Sequence, residues 1–280
     1  NDSGANTVIF GENYLATVDS LRPTWKTVKN YIVIGKAAEV EGYEELISGH
    51  PPDEPEVVID EDDIAWLLYT SGTTGPPKGL MLSHKMIIAD IVNSIITGYC
   101  INRSDVGLDM APLFSNGGSW IIKNHFYVGS TMVLLDNPEP KLILDAIEKE
   151  RVTATAVYVP MLVPVVNYPD VDKYDLSSMR LLLYGGAPMP EGLERKVSEI
   201  FSCIIGSGYA LTEATNQVME LPLLEGPWEK VRRQGSSGKE VVNVEVRLVD
   251  EEGKDVTPGE VGEILVRGDI VMKGYWNKPE

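Results

Sequence analysis

Short, nearly continuous apolar runs separated by amphipathic stretches set the strongest limit on what this chain can fold into. Residues 7–10, 31–34, 64–69, 131–135, 153–159 and 181–184 are short and rich in branched or apolar side chains. Runs of this kind, several with little polar alternation, suit strands covered on both faces. Between them lie helical patterns. Leu193, Val197, Ile200 and Phe201 fall on one face of a helix over Glu191–Phe201, and in residues 141–151 Leu142 pairs with Ala146 and Ile143 with Ile147. Residues 152–166, broken by Pro160 and Pro164, read as a buried strand leading into a helix. The alternation predicts an α/β layered fold. After about Pro222 the pattern changes. Val244, Val246 and Leu248 alternate with Glu245 and Arg247, and a turn leads to a second strand at residues 263–267. The expected organisation is a core over 1–225 and a β-rich subdomain over 226–280.

Charge and cysteine usage exclude several classes. The chain carries 24 basic and 42 acidic side chains, a formal charge of −18. Nucleic acid and anionic membranes need a basic footprint, so neither is an expected partner. Much of the acidity lies between Glu39 and Asp63, where Pro51, Pro52 and Pro55 interrupt it, and this reads as a solvated connection. Cys100 and Cys203 cannot build a disulfide framework, which points to a reducing, cytoplasmic setting. No apolar run approaches the ~20 residues that span a bilayer.

The strongest local signal is Tyr69-Thr-Ser-Gly-Thr-Thr-Gly-Pro-Pro-Lys-Gly79. An apolar strand runs straight into the hydroxyls of Thr70, Ser71, Thr73 and Thr74, the glycines Gly72, Gly75 and Gly79, and Lys78. Glycines let backbone N–H groups approach a polyanion, hydroxyls add donors, and the lysine supplies charge. A plain loop between hairpin strands is the competing reading. A Walker loop is excluded, because Lys78 is followed by Gly79 and the prolines forbid the helix that must open there.

These residues resemble the first core motif of the adenylate-forming superfamily, which holds acyl- and aryl-CoA synthetases, luciferases and peptide-synthetase adenylation domains. The resemblance continues in order. Ala111-Pro-Leu-Phe114 is similar to the family's Pro-Leu-Phe-His segment, and Gly185-Gly-Ala-Pro188 to its adenine-side loop. Gly208-Tyr-Ala-Leu-Thr-Glu213 is similar to its Tyr-Gly-x-Thr-Glu motif. The segments from Gly262 to Gly268 and from Gly274 to Trp276 resemble the stretch before its hinge. The fold implied is the family's large N-terminal domain: layered αβαβα sheets flanked by helices, with a smaller β-barrel-like subdomain.

The resemblance implies attack of a carboxylate on the α-phosphate of ATP, giving an acyl-adenylate, which the thiol of CoA converts to a thioester. The substrates would be a carboxylic acid, ATP and CoA, with Mg²⁺. An ionised carboxylate needs charge neutralisation and in-line positioning rather than a general base. By resemblance, Thr70 to Gly75 and Lys78 wrap the β- and γ-phosphates, Thr212 donates to the α-phosphate, and Glu213 holds Mg²⁺. Tyr209 would stack on adenine opposite Gly186, Ala187 and Pro188, with Gly208, Ala210 and Leu211 completing the nucleotide loop. The acid would lie among Phe114, Ser115, Trp120, Tyr184 and Gly185. Apolar walls are expected from Trp120, Val159, Tyr184 and Leu211, and Gly117 and Gly118 leave room for a long chain. Ser83 reads as the N-cap of a helix over residues 84–99, and His84 as structural.

Two positions depart from the family pattern: Ser115 replaces the usual histidine, and Ala210 a glycine. Residues 114–120 contain no acid to pair an amine, which favours a neutral fatty or aryl acid. Family members are roughly twice this length, and both ends of the sequence look cut. Activity is therefore expected to need a following Thr-Gly-Asp segment, a hinge and a lysine-bearing C-terminal domain, without which the isolated chain turns over little. A carrier-protein-loading adenylation domain and a non-catalytic nucleotide- or acyl-binding module are the alternatives, and a homodimer stays open.

Overall fold

The computed structural model describes residues 1–70, 75–221 and 236–279. It divides into two compact units, one of Asn1–Asp60 with the residues from Trp276, the other of Glu61–Tyr275. The boundary expected near residue 225 falls within 222–235, outside the described residues.

In the first unit, β1 (Thr7–Gly11), β2 (Asn30–Ile34) and β3 (Glu41–Gly42) form a parallel three-stranded sheet, accompanied by α1 (Leu15–Leu21) and α2 (Tyr43–Ser48). Phe10, Val18 and Val33 are buried at its centre. Of the stretch from Glu39 to Asp63 read as a solvated connection, residues 39–50 include β3 and α2 and are partly half-buried, whereas residues 51–63 are exposed throughout.

The second unit begins with β4 (Ile64–Thr70) and β5 (Lys78–Ser83), an antiparallel ladder, followed by α3 (His84–Ser94). Then come β6 (Val106–Asp109), α4 (Asn116–Val128), β7 (Thr131–Leu134), α5 (Pro140–Glu150), β8 (Ala154–Tyr158), α6 (Val159–Val166), β9 (Leu181–Gly185) and α7 (Glu191–Phe201). The series closes with β10 (Ile204–Ala210), β11 (Gln217–Glu220), β12 (Lys239–Glu240), β13 (Val244–Val249) and β14 (Glu263–Gly268). Seven strands make one sheet in the order β12-β11-β10-β9-β8-β6-β7; its pairs from β10 to β7 are parallel, and β11 runs antiparallel to β10 and β12.

Helices cover both faces of this sheet. Leu182 packs with Ile143, Leu144 and Ile147 of α5, Leu162 and Val165 of α6 and Val197 of α7. Its neighbours Leu181 and Leu183 turn to the opposite face and meet Trp120 and Ile121 of α4. Each such side chain removed from water contributes about 1.5–3 kcal/mol. The α/β layers expected from the apolar runs are thus present.

Two expectations need correction. The run at residues 64–69 is not a strand covered on both faces; among the described residues it pairs as β4 with β5 alone and is mostly half-buried. An apolar run of this length states its appetite for burial but not its pairing partner. Past residue 236, β13 and β14 form a two-stranded antiparallel ladder, and no barrel forms among the described residues.

One buried ion pair joins several of these elements. Lys123 of α4 approaches Asp90 of α3 at 3.2 Å, with side-chain exposures of 7% and 0%. The Lys123 ammonium also lies 5.5 Å from the ring centroid of Trp66 on β4. The other Asp90 oxygen accepts the Gln217 backbone N–H of β11 at 3.3 Å.

Candidate functional site

A cavity of about 230 Å³ opens at the carboxyl ends of β6, β8, β9 and β10. Crevices there collect ligands in α/β sheets, because the loops following each parallel strand converge on that edge. Its lining includes small residues, Gly185, Gly186, Gly208, Ala210 and Thr212, and aromatic ones, Tyr99, Trp120, Tyr158 and Tyr184.

The small lining follows from strand ends. Gly185 closes β9, and Gly186 takes a left-handed φ of +78°. A Cβ built at Gly186 would lie 2.9 Å from the Tyr158 ring, so both conformation and space call for glycine. Gly208 and Ala210 border the cavity from β10, whose register shifts between Tyr209 and Ala210. Thr212 opens the short 3-10 turn that follows. Tyr209 and Leu211 face an apolar cluster containing Ala214, Val218, Val241 and Val244, and neither lines the cavity.

Of the aromatic lining, Trp120 comes from α4, Tyr158 from β8 and Tyr184 from β9. Trp120 is buried, its Nε1 donates to Ser94 Oγ at 3.1 Å, and its ring meets Tyr99 edge-on at 5.4 Å. Ser115 serves as N-cap of α4: its hydroxyl accepts from Gly118 N at 3.2 Å and donates to the Pro112 carbonyl at 2.7 Å. The adjoining Asn116 lines the cavity instead, with its Oδ1 buried and lacking a partner among the described residues. Phe114 is 81% exposed and lies outside the lining. Val159 is likewise not a wall; it opens α6 and is buried in the core. The space at Gly117 and Gly118 is not free for a long chain. A Cβ at Gly117 would lie 2.4 Å from the Tyr158 hydroxyl, and one at Gly118 2.4 Å from the Pro112 carbonyl.

Behind Tyr99 sits Glu220, whose carboxyl burial pushes up to about 7, while the nearby hydroxyls of Tyr99 and Thr97 oppose the shift. Ser83 caps α3, accepting from Met86 N at 3.4 Å, and His84 is exposed at that helix start.

The glycine- and hydroxyl-rich segment connects β4 to β5, so it does lie between hairpin strands. The hairpin reading set against phosphate binding therefore describes its topology without deciding its chemistry. Ser71, Gly72, Thr73 and Thr74 lie outside the described residues; Thr70 ends β4, Gly75 is exposed, and Lys78 begins β5. The Lys78 ammonium lies 4.9 Å from the ring centroid of Tyr275. The Tyr275 hydroxyl donates to Glu213 Oε1 at 2.8 Å. Lys78 and Glu213 are thus linked through one tyrosine.

A family profile described as AMP-binding enzyme matches residues 1–276. The chain belongs to the AMP-binding enzyme family. Within it, the chain is 35% identical over 245 residues to 4-coumarate–CoA ligase 2 of Petroselinum crispum, covering 85% of this chain and 45% of that protein. It is 34% identical over 281 residues to a feruloyl-CoA synthase of an Amycolatopsis species, covering 100% of this chain and 53% of that one. The crystal structure of the anthranilate CoA ligase AuaEII in complex with anthranoyl-AMP superposes with a TM-score of 0.89 at 26% identity, covering 99% of this chain and 53% of that one. The chain spans about half the length of the curated relatives it matches.

The donor set of this AMP-binding enzyme domain bears on Mg²⁺. Among the described residues, no group of three or more His, Cys, Asp or Glu gathers to hold a metal. Mg²⁺ is ordinarily held by one or two carboxylates together with substrate phosphates and water. The single carboxylate of Glu213 fits an ion that arrives on a nucleotide. No described helix is long and apolar enough to cross a membrane.

Residue reasoning on the domain missed Tyr99, Tyr158 and Gln217 as cavity residues and Tyr275 as the link between Lys78 and Glu213. Alternation along residues 153–159 would have put Tyr158 on the same side as Ala156. Nothing local marks Tyr275, because its partner Glu213 is 62 positions away.

Proposed function

We propose that this chain carries the acid- and nucleotide-binding site of an ATP-dependent, AMP-forming acid–CoA ligase acting on a single-ring aryl acid. One observation carries the reading: a small cavity at the sheet's carboxyl edge is lined by glycines and a threonine together with tryptophan and tyrosine side chains. The former suit a phosphate ester and a flat base, the latter a flat acid. A volume of about 230 Å³, with Trp120 and Tyr158 in its lining, favours a ring over a long acyl chain. The substrates named in the relatives, 4-coumarate, ferulate and anthranilate, are of that size.

In this reading a carboxylate oxygen attacks the α-phosphorus, and the bond to the bridging oxygen of pyrophosphate breaks. The Thr212 hydroxyl donates to the α-phosphate oxygens as charge builds there, and the loop from Thr70 to Lys78 holds the departing phosphates. Mg²⁺, held at Glu213, would neutralise phosphate charge. The thiol of CoA then attacks the acyl carbon and AMP leaves. Asn116 takes the acid-orienting part that Ser115, engaged as a helix cap, does not supply. The two free cysteines, Cys100 and Cys203, accord with a reducing, cytoplasmic setting.

The test is ATP–pyrophosphate exchange by the intact protein across a panel of carboxylic acids, followed by a choice of thiol acceptors. Exchange with cinnamates or benzoates well above that with long-chain fatty acids, and thioester formation on free CoA, is the expected result. Exchange with amino acids, or acyl transfer only to a carrier protein, contradicts the proposal.

A further inference from the structure

Tyr275 touches both charged residues that the nucleotide would need. Its hydroxyl donates to Glu213 Oε1 at 2.8 Å, and its ring carries the Lys78 ammonium at 4.9 Å. Its backbone is fixed by the same neighbours. Leu80 bridges to Tyr275, Met81 N donates to the Gly274 carbonyl at 3.1 Å, Lys273 N donates to the Met81 carbonyl at 3.1 Å, and Met272 N donates to the Glu213 carbonyl at 2.8 Å. Residues 272–275 therefore stitch β5 to the turn bearing Thr212 and Glu213.

An opposite-charge pair this near one site is drawn to collapse into a direct ion pair. Lys78 and Glu213 form none; an aromatic ring separates them, holding the cation by its face and the anion by its edge hydroxyl.

We propose that Tyr275 is a positioning residue that holds Glu213 and Lys78 apart and aimed, so that the metal meets the carboxylate and the phosphates meet the ammonium without first breaking an ion pair. This rests on the ligase reading above. It is not itself a group that touches the reacting atoms. The aromatic ring holds the Lys78 ammonium, while the hydroxyl engages Oε1 of Glu213 and leaves Oε2 for the metal.

Calorimetric titration of the intact protein with ATP in excess EDTA, and with ATP plus Mg²⁺, separates the two contacts. Tyr275→Phe keeps the ring and the backbone pairing, and is expected to weaken the Mg²⁺-dependent gain in affinity about tenfold, the loss of one hydrogen bond to a charged group. Metal-free ATP binding and the melting temperature should stay at wild-type values. Tyr275→Leu should weaken ATP binding with and without Mg²⁺. In pyrophosphate exchange, Tyr275→Phe should shift the Mg²⁺ requirement upward with the saturated rate close to wild type. A Tyr275→Phe variant with the full Mg²⁺-dependent gain overturns the positioning role and leaves the ligase reading standing. A wild-type protein whose ATP affinity ignores Mg²⁺ overturns both.

Discussion

Two regions deliver the residues assigned to the nucleotide, and the molecule holds them very differently. β10 lies inside the seven-stranded sheet, with Ile205 buried among α5, α6 and α7, and it delivers Thr212 at a fixed edge. β4 and β5 form a separate two-stranded ladder, and a two-stranded ladder is marginal without outside support. Its support comes from residues 272–275 and from Trp66 against Lys123. The difference suits the chemistry proposed. Bond-making at the α-phosphate needs a rigid donor, whereas the β- and γ-phosphates must be gripped and then released.

The sharpest way to break this comparison is to remove one donor from each side. Thr212→Ala should lower the rate constant of pyrophosphate exchange by about 10²–10³, as loss of a preorganised donor does. Lys78→Ala should act mainly on the KM for ATP, with a smaller effect on the rate. The reverse ranking would put the chemistry on the ladder.

Stability should divide the same way. Leu182, 1% exposed between three helices, should cost about 3–5 kcal/mol on replacement by alanine, read from denaturant unfolding. In native-state hydrogen exchange, the backbone amides of Leu182 and Leu183 should open only with global unfolding, while those of Leu67 and Leu68 on β4 open locally and faster. Equal protection would mean that the ladder is as integral as the sheet.

Glu220 on β11 tests the sheet side by pH. Burial raises its carboxyl from 4.5 to about 7, so the folded protein holds a proton that the unfolded chain releases. Stability from this group is full below pH 4.5, declines as pH rises and is lost above about 7. Glu220→Gln should therefore stabilise by at most about 3 kcal/mol at pH 8 and change little at pH 4, measured as the shift in melting temperature. The smallest effect expected is at α4, the helix that carries Trp120: Ser115→Ala should cost about 1 kcal/mol as a lost N-cap, with the acid preference unchanged.

Local pattern revealed most of the sheet and its helices. The runs at residues 153–159 and 181–184 became β8 and β9, and Glu191–Phe201 is α7 as its apolar face required. Gly185, Gly186, Gly208, Ala210, Thr212, Trp120 and Tyr184, assigned to the site by resemblance, do share one cavity. Local pattern failed where direction depends on distant partners. The apolar cluster that Tyr209 packs against, while Gly208 and Ala210 line the cavity, is assembled from residues farther along the chain, Val241, Val244 and Ile270 among them. Whether Gly117 means room or an invited neighbour depends on Tyr158, which arrives from another strand. The pairing of β4 with β5 rather than with the parallel sheet is likewise a property of the whole arrangement.

The Asp90–Lys123 pair has a consequence for the history of sequences like this one. Removing either charge alone strands the other in a nearly dry site, at a cost of about 3–5 kcal/mol, whereas exchanging both for well-packed apolar side chains is often neutral. Each single step crosses a valley that a paired change avoids. Positions 90 and 123 should therefore drift together among relatives, and a lineage that loses the pair should show new apolar bulk beneath Trp66 and beside Gln217, where the two compared regions meet.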